Sequence, residues 1–184
     1  MSRILWLLVE TLGSLLSVAC LLRAYAHWVH LSPRNPISQF LTALTDWLVK
    51  PLRKLIAPTR TMDWASVLAA FLVAAVTALA FFLVLGGVRV PNPGAVLFLA
   101  VVWLIRWSLY LVMGLVILQA ILSWVNPHAP LAPAVQQLTQ PFLAPLRKVV
   151  PLVGNVDLSP LVLIVLIQVL LLIVDPASLP AMLR

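Results

Sequence analysis

The sequence predicts an all-α integral membrane protein: four transmembrane helices in two parallel repeats, each with a basic amphipathic interfacial helix between its two spans. Three observations lead there. The 184 residues are 63% hydrophobic and only 9% charged, with a mean hydropathy of +1.11, which excludes an ordinary soluble globule. Several apolar runs approach the roughly 20 residues that cross about 30 Å of hydrocarbon as a helix. Lastly, one stretch occurs twice: Leu44 to Asp63 reads LTDWLVKPLRKLIAPTRTMD, and Leu138 to Asp157 reads LTQPFLAPLRKVVPLVGNVD, at a constant separation of 94 residues. The shared positions are Leu44/Leu138, Thr45/Thr139, the block Pro51-Leu52-Arg53-Lys54 against Pro145-Leu146-Arg147-Lys148, and Asp63/Asp157.

The first span covers about 4–26, with Arg3 before it and Arg23 near its far end. Ala24-Tyr25-Ala26 and Ser17-Val18-Ala19-Cys20 offer loose signal-cleavage patterns, but Glu10 interrupts the apolar core such a signal needs, so the segment is expected to stay. Asn35-Pro36 reads as a helix cap followed by proline at the first helical position, opening an interfacial helix over about 36–57. Ile37, Phe40, Leu41, Leu44, Trp47, Leu48, Leu52, Leu55 and Ile56 form its apolar stripe. Ser38, Gln39, Thr42, Thr45, Asp46, Lys50, Arg53 and Lys54 take the other face. Trp47 suits headgroup depth, while Lys50, Arg53 and Lys54 reach toward anionic lipid. Pro51 is expected to kink this helix.

The second span, about 64–87, is free of charge and closes on Gly86-Gly87. After a turn, an apolar run containing one charge, Arg106, gives the third span at about 98–125. Asn126-Pro127 opens the matching turn, and a weaker interfacial segment at about 131–150 is broken at Pro141 and Pro145. The fourth span, about 158–174, ends at Asp175-Pro176. Two spans per unit make both units cross in one direction, so residues 1–88 and 95–184 form parallel repeats. Upstream of the basic block the correspondence shifts to 96 residues, with Trp28 on Trp124 and Arg23 on Gln119.

Seven Lys and Arg residues lie in 27–64 and 125–157, against three (Arg3, Arg89, Arg184) on the other side. The basic segments are therefore expected in the cytoplasm and both termini in the periplasm. The net charge of +7 points to anionic headgroups, because the basic residues flank apolar spans and no basic patch interleaves with aromatics as nucleic-acid binding would want. A single cysteine, Cys20, excludes an internal disulfide and a cysteine-pair metal site.

Two tandem units carry Asn-Pro, then Pro-Leu-Arg-Lys, then an Asp followed by a Ser that opens a span: Asp63-Trp64-Ala65-Ser66, and Asp157-Leu158-Ser159-Pro160. This arrangement resembles the YggT family of small bacterial membrane proteins over nearly the whole chain, more closely in the second unit. The resemblance implies a bacterial inner-membrane protein of undefined molecular activity. Members are associated with osmotic-stress tolerance and ion uptake, with the cell-division neighbourhood and, in plastids, with cytochrome assembly.

Catalysis needs converging polar groups, and the acids (Glu10, Asp46, Asp63, Asp157, Asp175) are dispersed. No enzyme, cofactor or metal site is expected. His27 and His30, with His128 in the matching turn, are read as solvated, since Ser123 stands where His27 would repeat. Glu10 and Arg106 are the charges within spans, and the 96-residue correspondence puts them at equivalent positions. Three readings stay open: a buried ion pair joining the repeats, independent snorkelling to the interface, or a proton or ion relay. Arg23 with Arg53, Lys54, Arg147 and Lys148 either forms a lipid or partner platform or merely sets topology. Small residues of the second span (Ala65, Ala69, Ala70, Ala74, Ala75, Ala78) form a close-packing face, within the chain or between copies or other membrane proteins. The expected function is a structural or scaffold/assembly factor with a lipid-facing basic cytoplasmic surface. The alternative is a small transporter or channel component linked to osmotic response and ion uptake.

Overall fold

The computed structural model describes residues 2–57, 59, 61–85, 92–150 and 157–175. They form six α-helices: α1 (Ser2–Trp28), α2 (Pro36–Arg53), α3 (Trp64–Leu85), α4 (Pro93–Val125), α5 (Ala132–Arg147) and α6 (Ser159–Ile173). Three of them contain stretches long and apolar enough to cross a membrane: Arg3–Trp28, Trp64–Val84 and Pro93–Val125. At 15 residues, α6 is about 22 Å long, shorter than a hydrocarbon core of about 30 Å.

The long helices lie side by side, α1 against α3, α3 against α4 and α4 against α6, with α2 across α1 and α3 and α5 across α4 and α6. Small residues permit the tightest contact. Ala65, Ala69, Ala70, Ala74 and Ala78 of α3 are fully buried, recurring every four or five residues along one face. Gly13 of α1 meets that face, where a methyl group would collide with the Thr77 hydroxyl. The Ser17 hydroxyl donates to the Ala70 carbonyl at 3.1 Å. Toward one end of the bundle, Trp6, Phe81 and Trp103 pack edge-to-face or tilted against one another among Ala74, Ala78 and Ala100. At the other end the two halves are tied by Tyr25, whose hydroxyl donates to the Leu138 carbonyl at 2.6 Å, and by Gln137, whose amide donates to the Val29 carbonyl at 3.1 Å.

Helix ends follow local chemistry. His30 adopts a left-handed conformation (φ 59°), and Leu31 N–H and His30 N–H donate to the Ala26 and His27 carbonyls. That is a Schellman stop for α1. Asn35 caps α2, its side chain accepting from Ile37 N–H at 2.9 Å with Pro36 next, as expected.

Several boundaries differ from expectation. The helix α4 begins at Pro93, capped by Asn92, which accepts from Gly94 N–H at 2.9 Å; this Asn-Pro signature lies five residues ahead of the expected start. Asn126 is the C-cap of α4 and opens the turn before α5, as expected, and α5 starts after Leu131 without a side-chain cap. The helix α2 continues through Pro51 and ends at Arg53. Likewise α5 is unbroken through Pro141 and Pro145. Those prolines are four apart and exposed, so the carbonyls of Gln137 and Pro141 that lose their partners lie on the outer face, where solvent or headgroups can satisfy them.

Of the three readings of Glu10 and Arg106, the ion pair joining the repeats is not formed. Arg106 Nη1 lies 3.1 Å from Asp175 Oδ1 and donates to the Val174 carbonyl at 3.3 Å. Glu10 is exposed on α1 and makes no ion pair with Arg106 or any other described residue. Equivalent register does not bring the two together because the halves meet chiefly through α3 and α4, with α1 against α3.

Candidate functional site

The basic blocks and the acids that follow them form two related sites, one in each half. In the first, Arg23 reaches from the last third of α1 toward α2. Its Nη1 donates to Thr45 Oγ1 at 2.8 Å and lies 2.9 Å from Asp46 Oδ1, while its Nε is 3.8 Å from Asp63 Oδ2. The Asp46 contact is a close ion pair without an aligned hydrogen bond at Oδ1. Lys50, one turn on, pairs with Asp46 Oδ2 at 2.8 Å. From the end of α2, Arg53 Nη2 donates to Asp63 Oδ2 at 2.5 Å, and Ser66 Oγ donates to the same oxygen at 2.7 Å. Asp63 stands immediately before α3, so this carboxylate joins all three helices of the first half. It is fully buried, and Arg23 is nearly so.

Burial alone would raise the Asp63 carboxyl, but hydrogen bonds from Arg53 and Ser66 and the charges of Arg53 and Arg23 outweigh it and hold the group below its ordinary 3.8. Asp46 is lowered chiefly by its hydrogen bond from Lys50, with Arg23 assisting. Both stay ionised near neutrality. This corrects the expected polar face of α2. Thr45 and Asp46 turn inward to Arg23, and Leu41 and Val49 are buried against the bundle, whereas Phe40, Leu44 and Trp47 face outward.

In the second half Arg147 Nε donates to Asp157 Oδ2 at 2.8 Å, and Asp157 Oδ1 accepts from Ser159 N–H at 2.9 Å. Desolvation again pushes the Asp157 carboxyl up, and the Ser159 and Arg147 contacts more than offset it, leaving it lowered. This pair is shallower than its counterpart, with side-chain exposures of 41% and 31% against 36% and 1% for Arg53 and Asp63. Gln119 occupies the place of Arg23 and carries no charge. Its Oε1 is buried without a partner, as is Ser159 Oγ.

Each site borders a cavity, and the walls correspond. Arg23, His27, Arg53 and Asp63 line the first, of about 300 Å³; Gln119, Ser123, Arg147 and Asp157, their counterparts by sequence, line the second, of about 620 Å³. Of the residues expected to contact lipid, Lys50, Lys54, Arg147, Lys148 and Trp47 are exposed and Arg53 is half-buried. Among the motif residues, Asn35 and Pro36 cap α2, Pro51 and Pro145 sit exposed near helix ends, Asn126 and Pro127 lie in an exposed turn, and Pro160 lines the second cavity. His27 Nε2 lies 3.2 Å from the Thr59 carbonyl oxygen.

Comparison with known proteins places this architecture. The CCB3/YggT family model matches residues 2–84 and 98–177. The chain belongs to the CCB3/YggT family. Its two-part match falls on the two halves that carry the paired sites. Similar proteins include YggT of Escherichia coli K12, an uncharacterised protein 31% identical over 170 residues, covering 89% of this chain and 85% of the relative. An uncharacterised Vibrio alginolyticus protein, described by its place in the proC 3' region, is 32% identical over 162 residues, 88% of each chain. An uncharacterised Pseudomonas aeruginosa protein is 34% identical over 160 residues, covering 84% of this chain and 79% of the relative. No solved structure matches this YggT-family chain at a significant level.

The Asp63 hub was only partly legible. Arg53 and Asp63 stand out as repeated residues, and Arg23 as a charge at the end of a span. Nothing in the helical period distinguishes a polar face turned to water from one turned to a buried arginine, so the inward-facing Asp46 carried no separate signal.

Proposed function

We propose that this YggT-family protein is a non-enzymatic scaffold or assembly factor of the bacterial inner membrane. In this reading α6 is the fourth span, both basic segments lie in the cytoplasm beside anionic headgroups, and both termini are periplasmic. One observation carries it. The interior charges are spent on joining helices: Arg23, Asp46, Arg53 and Asp63 hold α1, α2 and the start of α3 together. Between the long helices the buried clusters are built mainly of alanines and tryptophans with Cys20, and the buried hydroxyls of Ser17, Ser66 and Thr77 are few, a poor lining for an ion path. Exposed Lys54, Lys148 and Trp47 remain for headgroups and partners.

Flux measurement in liposomes reconstituted with the purified chain tests this reading. It expects no potassium or proton flux above that of protein-free vesicles. Specific flux abolished by substituting Glu10 or Arg106 would replace it with the transporter or channel role in osmotic response.

A further inference from the structure

The pocket in the first half has a chemistry that the helix joint itself does not use. Its wall carries two guanidiniums, Arg23 and Arg53, against one carboxylate, Asp63, a net charge of +1. Asp46 meets both Arg23 and Lys50, and counting that pair of neighbours in leaves the excess at +1. Two polar atoms on wall residues are buried without partners: Arg53 Nε, a donor, and Asp63 Oδ1, an acceptor on a fully buried side chain. Buried polar atoms are nearly always satisfied, and excess buried charge is costly unless an opposite charge meets it. Ser38, Thr42 and His27 complete a wall that is otherwise Ala26, Leu31, Pro33 and Leu41. A group that satisfies this wall brings at least one negative charge, acceptor oxygens for the guanidiniums, and a donor on the side of the Asp63 carboxylate. A phosphate ester with a neighbouring hydroxyl meets all three needs, and guanidinium suits phosphate by geometry as well as charge.

We propose that the Arg23–Arg53–Asp63 pocket binds one hydroxyl-bearing phosphate ester, the chemistry of a glycerol-headed anionic phospholipid or of a free glycerol phosphate. The inference deepens the lipid-contact reading and rests on its placement of the basic segments at the cytoplasmic interface, which puts this pocket at headgroup depth. The second half supplies the internal contrast. Its corresponding pocket has one guanidinium and one carboxylate, Arg147 and Asp157, with neutral Gln119 in place of Arg23. With no net charge, that pocket holds no phosphate. One residue therefore separates the two sites, and exchanging it moves the binding.

Native mass spectrometry of the full chain in detergent, with added phosphatidylglycerol or phosphatidylcholine, reads the stoichiometry. Wild type retains one phosphatidylglycerol and no phosphatidylcholine. Arg23→Gln retains it about tenfold to a hundredfold more weakly, as expected for the loss of one charged hydrogen-bonding group. Gln119→Arg retains two, a gain that misfolding cannot produce. Glycerol 3-phosphate that displaces the lipid identifies the phosphate ester alone as the recognised group; retention despite it identifies the lipid as the source. No retained phosphatidylglycerol in wild type, or one molecule in both Arg23→Gln and Gln119→Arg, overturns the proposal. Lys54→Gln with Lys148→Gln changes surface charge outside both pockets, so it lowers overall adsorption to anionic vesicles and leaves the retained lipid in place. Loss of adsorption without loss of that lipid separates the surface reading from the pocket.

Discussion

Asp63→Asn is expected to destabilise the protein far more than the equivalent change Asp157→Asn. Removing Asp63 leaves Arg53 without its 2.5 Å partner and takes one of two carboxylates from nearly buried Arg23. Breaking a buried pair costs about 3–5 kcal/mol. The low end applies, because the Arg53 side chain is 36% exposed and Arg23 keeps Thr45 and Asp46. About 3 kcal/mol corresponds to a fall of about 6–12 °C in Tm for a chain of this size. Asp157 and Arg147 are both substantially exposed, so their pair contributes up to about 1 kcal/mol, or about 2–4 °C. The assay is built into the chain. Cys20 is the single cysteine and is fully buried in the cluster where α1, α2 and α3 meet, so a fluorogenic maleimide reports its exposure on heating. Equal losses for the two asparagine variants, or a loss under about 2 °C for Asp63→Asn, would refute the claim that the Asp63 hub is the stronger joint.

Three further outcomes follow from the same contacts. The carboxyls of Asp46, Asp63 and Asp157 are all held below 3.8 in the folded protein; depressed values add stability that is present above the unfolded pKa and lost as pH falls through the folded one. Tm should therefore drop below about pH 4 through these groups, and Asp63→Asn should shrink that acid-dependent part; an unchanged acid slope would contradict it. Gly13→Val should cost about 1–3 kcal/mol by overpacking α1 against Thr77, partly restored by Thr77→Ala in the same chain, and purely additive effects in a melting series would show the contact is not formed. Arg106→Leu and Asp175→Leu should be non-additive by roughly 0.5 kcal/mol or more, whereas Arg106→Leu and Glu10→Leu should add simply in a double-mutant cycle; coupling of the second pair would restore the inter-repeat ion pair.

Much of the architecture is legible in the chain because duplication marks it. The repeated Pro-Leu-Arg-Lys block and the trailing aspartates locate both joints, and the Asn35-Pro36 cap locates the start of α2. What escapes is whatever depends on how helices face one another. Thr45 and Asp46 share their helical face with Lys50, yet the first two point at Arg23 while Lys50 is largely exposed. Glu10 and Arg106 share a register but not a contact. The partner of Arg106 is an aspartate at the far end of α6, brought to it by antiparallel packing of α4 and α6. Asn92-Pro93 has the same capping chemistry as Asn35-Pro36, but it lies among glycines and prolines that read equally well as a turn.

In the proposed arrangement the two halves are parallel, with both aspartate joints on one side of the membrane. Single cysteines replacing exposed Lys54 and Lys148 in a Cys20→Ser chain test it directly through labelling with a membrane-impermeant maleimide. Both positions should react in inside-out vesicles and resist labelling in intact, right-side-out cells. Labelling of Lys54→Cys and Lys148→Cys from opposite sides would mean that the halves are inverted with respect to each other, contradicting the parallel arrangement.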